Sequence, residues 1–362
     1  MKRLLSVLIC GAVFLCGLSG CTPELHERLI VRAVGIDAAD GGYLVTVRAA
    51  VDSEKEESFT ESAVTVSKAL ESIGRKTGKK PLYSHNALLI FGDRCAVQGV
   101  QGALDFFLRH YDSRPTVKVF LAEGTAEEIL AVNRAEKTIM LSEQVADLVK
   151  AEAYSGTGMD ADLVTLINGV YGANRSTVLP VLHKGETIEL CGVGVIRNMR
   201  LYVRPDTAAM RGYLLLSGNM HAGESIVFNE SCGTVSITAA KSRCDIRFVG
   251  TRENPRFTVK AEIEGDISSI SKEDRQIGSD VFSKLEQQFA SSALDDITAY
   301  LHNVVYPEGC DAAGFGQAVL REKIHVSQWS AEEYATFLQN AAFDICVTAK
   351  INRVEEEDKP YF

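Results

Sequence analysis

The first twenty-one residues constrain this chain more than any other stretch. Lys2 and Arg3 precede an apolar run from Leu4 to Leu18, and the run ends in Leu18-Ser19-Gly20-Cys21. A positive start, 15 apolar-rich residues and small residues before a cut site describe an export signal. The run is short of the roughly 20 residues that a membrane-spanning helix needs. Leu-Ser-Gly-Cys also resembles the bacterial lipobox, in which the cysteine takes a diacylglyceryl group on sulfur and becomes the first mature residue. An ordinary secretory signal with an incidental cysteine accounts less well for the agreement of run, spacing and small residues. Two acyl chains hold firmly, because each buried methylene contributes about 0.8 kcal/mol. No later apolar stretch reaches 18 residues, so everything from Thr22 onward is expected to fold in water, outside the cytoplasmic membrane and tethered through Cys21.

Charge narrows the classes further. The chain carries 48 Asp+Glu against 38 Lys+Arg, a formal net charge of −10. Without Lys2 and Arg3 the balance is 36 against 48, or −12. Such a body is a poor partner for nucleic acid, and it is discouraged from lying on anionic lipid. With 46% hydrophobic and 24% charged residues it has ordinary globular composition, which excludes disordered and collagen-like readings.

Catalytic and metal signatures are missing. Six cysteines remain after the signal and Cys21: Cys95, Cys191, Cys232, Cys244, Cys310 and Cys346. None forms a C-x-x-C or a zinc-like cluster with histidine. Cys232 and Cys244 could pair, although buried free thiols acting as small hydrophobes are the more ordinary reading. There is no G-x-S-x-G and no phosphate-binding loop. Asp295-Asp296 and Glu332-Glu333 are adjacent on predicted helices, so their side chains diverge by about 100° and make poor acid/base pairs. No metal or cofactor is expected.

The patterning reads as α+β, with mixed sheets and helices in two to three domains. Strands are expected at Leu29–Asp37, Tyr43–Ala50, Asn86–Phe91, Thr116–Ala122 and Ser176–Leu182, with Asp52–Glu57 a charged loop. Helical spacing marks Thr60–Thr77, a helix after Gly92-Asp93 with Val97, Val100, Leu104 and Phe107 inward, and helices near Glu136–Ala153 and Asp160–Val170. Thr125-x-x-Glu128 reads as a capping box. A hairpin turns at Asn198-Met199 between Ile188–Arg197 and Arg200–Val203. Asp206 should cap a helix to about Leu216. Strands near Ser225–Asn229, Cys232–Phe248 (with a break) and Arg256–Glu264 follow, then a long helix over Lys272–Val304, helices near Gln317–Lys323 and Ala331–Gln339, and a last strand, Phe343–Val354. The expected division is a signal at 1–20, an α/β region at 21–204 with a further split near 116–176, an α+β region at 205–354, and an acidic tail at 355–362.

In their order and spacing, several pieces resemble the Ger(x)C spore germination lipoproteins. After Cys21 come Glu24 to Val31 and then Gly35-Ile36-Asp37. Tyr83-Ser84-His85 with Ala87–Phe91, Leu104–Arg109 with Arg114-Pro115, and Ala126–Leu130 follow. Arg211–Leu215, Asp311–Gly316, Trp329, and Lys350-Ile351 complete the series. Thr22-Pro23 depart from the Trp-Asp usual in that family. The resemblance implies an unusual mixed α/β fold, no known enzymatic activity, and a place in a nutrient germinant receptor on the outer face of the inner spore membrane. Its partners there would be the membrane-embedded A-type and B-type subunits.

Beside Cys21, five residues are candidates for contact or structure. Asp311 with Gly314 and Gly316 reads as a docking turn or as a loop that needs positive φ. Arg109, with Asp112 and Arg114, reads as a partner-facing charge set or as a cation completing a helix dipole. Trp329 suits an interface anchor and a core anchor equally. The leading functional reading is a lipid-tethered, non-enzymatic receptor subunit. A solute-binding lipoprotein that captures a nutrient directly is the alternative, and a cell-wall hydrolase is a third.

Overall fold

The computed structural model describes residues 27–50, 55–132, 144–145, 148–149, 159–229, 233–271 and 279–354. The signal, Cys21, Cys232, the expected helix at Glu136–Ala153 apart from a few positions, the start of the long helix, and the acidic tail lie outside them.

Two sheets organise the described residues. The larger holds nine strands in the order β3-β2-β1-β5-β6-β7-β8-β9, with β4 paired to β1. β1 (Arg28–Ala39) and β2 (Gly42–Ala50) form the expected hairpin, and Gly41 supplies the positive φ of 77° at its turn. β4 (Lys80–Leu82), β5 (Leu88–Phe91) and β6 (Lys118–Ala122) run parallel to β1, the last through β5. β7 (Ser176–Lys184), β8 (Ile188–Arg197) and β9 (Arg200–Val203) continue the same sheet. Asn198 and Met199 both take positive φ, as the predicted two-residue hairpin demands. Methionine tolerates this because it is packed: Met199 is buried and its carbonyl accepts from the Val100 amide.

Two expectations in this half are corrected. The helix expected from Thr60 begins at Val66 (α1, Val66–Thr77), capped by Thr65, and the residues before it form a further strand, β3 (Glu56–Ala63). β3 is an edge strand rich in glutamate, so only its register against β2 reveals it. The single helix expected after Gly92 is two, α2 (Asp93–Gln98) and α3 (Gln101–Arg109). Gly99, with φ of 122°, breaks them and turns Val97 out to solvent, while Val100, Leu104 and Phe107 point inward as expected. α4 (Ala126–Leu130) and α5 (Leu163–Tyr171) complete this half, capped by Thr125 and Asp162.

The smaller sheet runs β10-β11-β12-β13: β10 (Glu224–Asn229), β11 (Gly233–Phe248), β12 (Arg256–Ile270) and β13 (Ala342–Val354). The expected break in β11 is a register shift at Ala239/Lys241, with another at Ser236/Ile237. α6 (Thr207–Leu216), capped by Asp206 as expected, α7 (Ser279–Tyr300), α8 (Phe315–Arg321) and α9 (Ala331–Gln339) accompany this sheet. α7 ends in a π-turn at Leu301–Val305.

Burial follows this plan. One core lies on the face of the large sheet under α1, α2, α3 and α5, with Val34, Leu70, Leu104 and Leu166. Another, with Ile90, Phe120 and Ile129, lies on the opposite face under α4. The third is shared: Val178, Val193 and Val195 of the large sheet join Phe257, Phe289 and Phe315 of the smaller half. Apolar burial at about 25 cal/mol per Å² therefore holds the two sheets to each other as well as each to its helices.

Candidate functional site

Asp311 lies where the two sheets meet, with no exposed surface. One carboxylate oxygen accepts from the amides of Gly314 at 2.8 Å and Phe315 at 3.0 Å. The other accepts from the Gly316 amide at 2.6 Å and the Tyr334 hydroxyl at 2.7 Å. The same residue reaches the large sheet, its amide donating to Ser176 Oγ at the start of β7 at 3.2 Å. Burial pushes the Asp311 carboxyl up from its ordinary value, against the lowering pull of Tyr334 and the three amides. Burial, with Asp311 beside it, raises the Tyr334 phenol as well.

The glycines have separate reasons. Gly314 stands at the N-cap of α8 with φ of 109°, a conformation L side chains rarely adopt. Gly316 allows a close approach: a Cβ there would sit 2.1 Å from the Ala173 carbonyl oxygen. Asn174 caps the same helix from the large-sheet side, accepting from the Gln317 amide at 3.2 Å. Arg175 reaches the other way, donating to the Trp329 carbonyl at 2.5 Å and the Val326 carbonyl at 3.2 Å. Arg197 of β8 donates to the Glu308 carbonyl at 2.7 Å. The 311–316 turn thus faces into the molecule and clasps the two halves. A fully buried carboxylate whose donors are all backbone amides and a phenol has no route to a substrate, so this arrangement positions chain segments.

A second buried carboxylate does similar work inside the large sheet. Asp37, at the end of Gly35-Ile36-Asp37, accepts from the Ala126 amide at 2.8 Å and the Glu127 amide at 3.0 Å, capping α4 from β1. Burial raises the Asp37 carboxyl, opposed by those two amides. A Cβ on Gly35 would sit 2.9 Å from both Ala126 Cβ and Leu130 Cδ1, and one on Gly92 would collide with Asp37 Oδ1. Cys95 lies nearby, its thiol pushed up to about 12 by burial and the Asp37 charge, which leaves it protonated and inert. Sequence reasoning placed Gly35-Ile36-Asp37 at the end of a strand and within a resemblance; the capping role of Asp37 depends on residues about 90 positions away.

A third pairing locks two helices. Arg211 of α6 grips Asp296 of α7 with two 2.8 Å bonds, and Gly212 lets the helices touch, since a Cβ would meet the Asp296 carbonyl at 2.0 Å. Asp296 is buried and already paired, and Glu333 closes a reciprocal capping box with Ser330, so neither adjacent-carboxylate pair assembles as acid and base.

The other candidates lie apart from this clasp. Arg109 ends α3 on the surface and pairs with Asp105 one turn back at 2.7 Å, rather than with Asp112. That ion pair raises the guanidinium above its usual value. Trp329 is half-buried, edge-on to Phe337 at 5.1 Å, and Arg252 stacks over its ring at 4.4 Å. Together they floor an open groove of about 440 Å³ rimmed by Glu253, Glu332 and Asn340. Cys95, Cys191, Cys244, Cys310 and Cys346 are free thiols. Among the described residues no group of three His, Cys, Asp or Glu is placed to hold a metal, and no helix is long and apolar enough to cross a membrane.

Fold and clasp together define a two-sheet α+β protein whose buried carboxylates join distant segments of the chain. Two family descriptions cover nearly all of it: "Spore germination protein N-terminal domain" over residues 22–184, and "Spore germination B3/GerAC like, C-terminal" over residues 191–355. The chain belongs to the Ger(x)C family of spore germination proteins, whose members are germinant receptor subunits. Its fold is similar to that in a solved structure described as the crystal structure of the GerBC protein. The TM-score is 0.56 at 13% identity, over 88% of this chain and 96% of that one. No curated protein sequence matches the chain.

Proposed function

We propose that this protein is the lipid-anchored, non-enzymatic C subunit of a germinant receptor, and that it acts in receptor assembly. The observation that carries the reading is the family match across both halves, joined to a lipobox cysteine six residues before Glu27, where the described body begins. Cys21 would carry the diacylglyceryl group and hold residues 21–204 and 205–354 at the outer face of the inner spore membrane. A tether raises local concentration, so modest interfaces with the membrane-embedded A-type and B-type subunits suffice. Arg109 and Trp329 reach the surface and are available to such partners, whereas Asp311, Gly314 and Gly316 serve the body that presents them.

Replacing Cys21 with alanine should move the protein from the membrane fraction and lower receptor level and nutrient-triggered germination, read by fractionation, immunoblot and loss of spore refractility. Normal germination with a fully released variant would defeat the reading. The alternative, direct capture of a nutrient, has the Trp329 groove in its favour, with its aromatic floor and charged rim. Calorimetric titration of the protein with amino acids and sugars decides between them, because tight binding that Trp329→Ala abolishes would favour capture.

A further inference from the structure

The exposed edge of β13 carries the pattern of a strand that pairs with itself. The large sheet ends on β3, which is guarded by glutamates, and on β9, which has only four residues. The smaller sheet ends on β10, of six residues, and on β13, of thirteen. β13 holds an unbroken register against β12 from Ala342 to Ile351, with no proline, glycine or bulge, and α7 covers its far end at Ile351, whose amide donates to Glu286 Oε1 at 3.1 Å. Natural proteins normally protect an edge of that length.

The core also thins at this border. On β12 the helix-facing residues Phe257, Val259, Ala261 and Ile263 are at most 2% exposed. Their neighbours on β13, Phe343, Ile345, Val347 and Ala349, are only partly buried. An added strand would complete their cover.

The charges choose the occupant. Asp344, Cys346, Thr348 and Lys350 alternate along the open face of β13 and are exposed. In a two-fold antiparallel pair, opposed residues present their backbone groups alike, so the pair must centre on a single residue. Centred on Val347, Asp344 stands opposite Lys350 of the second copy, and the reverse, giving two opposite-charge pairs. Phe343 then faces Ile351 and Ile345 faces Ala349 on the helix side. Centring one residue away, on Cys346 or Thr348, sets Asp344 against Thr348 or Asn352 and leaves both ion pairs unmade. Arg256 of β12 already approaches Asp344 at 3.4 Å, so the carboxylate would sit between two cations. Directly opposed charges and apolar pairs are the unit of sheet stabilisation.

We propose that two copies of this chain pair through β13, antiparallel about Val347, to form a continuous eight-stranded sheet. The edge geometry and charge order stand apart from the receptor reading and do not depend on it.

Cross-linking of the full chain, expressed in cells and mildly oxidised in the whole-cell lysate, tests this. The register places Cys346 opposite Thr348 of the second copy. Thr348→Cys should therefore yield a disulfide-linked dimer on a non-reducing gel. The unaltered chain should not, and the dimer should vanish when Cys346→Ser is added. Lys350→Glu should reduce the cross-link in the Thr348→Cys background, and Asp344→Lys should restore it. All these positions are exposed, so folding is not at stake. Absence of the Thr348→Cys dimer, its survival with Cys346→Ser, or a band of another mass in its place would overturn the proposal, the last in favour of a foreign strand.

Discussion

Asp37 and Asp311 both cap a helix from a buried position, yet they join different things. Asp37 ties β1 to α4 within one sheet, through two amides about 90 residues away in sequence. Asp311 caps α8 locally, three to five residues on, and then recruits Tyr334 and Ser176 from elsewhere. The first is a long-range bond that closes a single layer. The second is a local turn that becomes long-range only because its surroundings belong to two layers. A buried carboxylate is tolerated in either place for the same reason: each of its oxygens finds a donor.

The comparison breaks most sharply at Asp311. Asp311→Ala orphans three amides and a phenol, each unmet buried donor costing about 1–3 kcal/mol. Allowing for partial rescue by water, a loss of about 4 kcal/mol is expected, read as a drop in the urea midpoint. The transition should also broaden or split as the two halves lose their clasp. Asp37→Ala orphans two amides at a helix cap, where losses run to about 2 kcal/mol. That variant should keep a single transition. A split transition for Asp37→Ala, or none for Asp311→Ala, would reverse the roles assigned here.

Acidity sharpens the contrast further. Burial raises the Asp37 carboxyl above its unfolded value near 3.8. The folded state then binds the proton more tightly, so the stability from this group is complete below the unfolded value and declines as pH rises through the raised one. Asp162 is the opposite case: the cap of α5 is more exposed, and its bonds to Thr165, with Lys118 nearby, outweigh desolvation and lower its carboxyl. Its contribution is present above about pH 4 and fades as pH falls through the lowered value. Urea melts across pH 3 to 7 should therefore show the deficit of Asp162→Asn shrinking in acid. The wild-type advantage over Asp37→Asn should instead grow. Parallel curves would mean that the two caps share one environment. The smallest effect is expected for Arg109→Ala, whose partner Asp105 is also largely in water; the urea midpoint should not move measurably.

Much of this architecture was legible in the residues. The hairpin at Asn198-Met199, the Asp206 cap and α9 follow local rules of turn, cap and period, and they stand where those rules put them. β3 escaped because edge strands in solvent carry no alternating apolar signal, and its glutamates read as loop. The break at Gly99 escaped because the apolar period runs through it, and only the positive φ shows that the helix stops. For the site, the spacing Asp311-x-x-Gly314-x-Gly316 announced a turn with special backbone needs. It did not say that the turn faces inward, since that depends on Ala173, Ser176 and Tyr334, all distant in sequence. Asp37 gave no local sign at all.

The position of β1 bears on the proposed anchoring through Cys21. This strand is interior to the large sheet, flanked by β2 on one side and by β4 and β5 on the other. A lengthwise tug on residue 28 loads both flanking ladders in shear, where many cross-strand bonds must yield together instead of opening one at a time from an edge. Were the proposed leash at residue 21 to pull, the fold would meet the strain through one of its best-braced members, and a swelling or rehydrating membrane would drag on the body without peeling it apart.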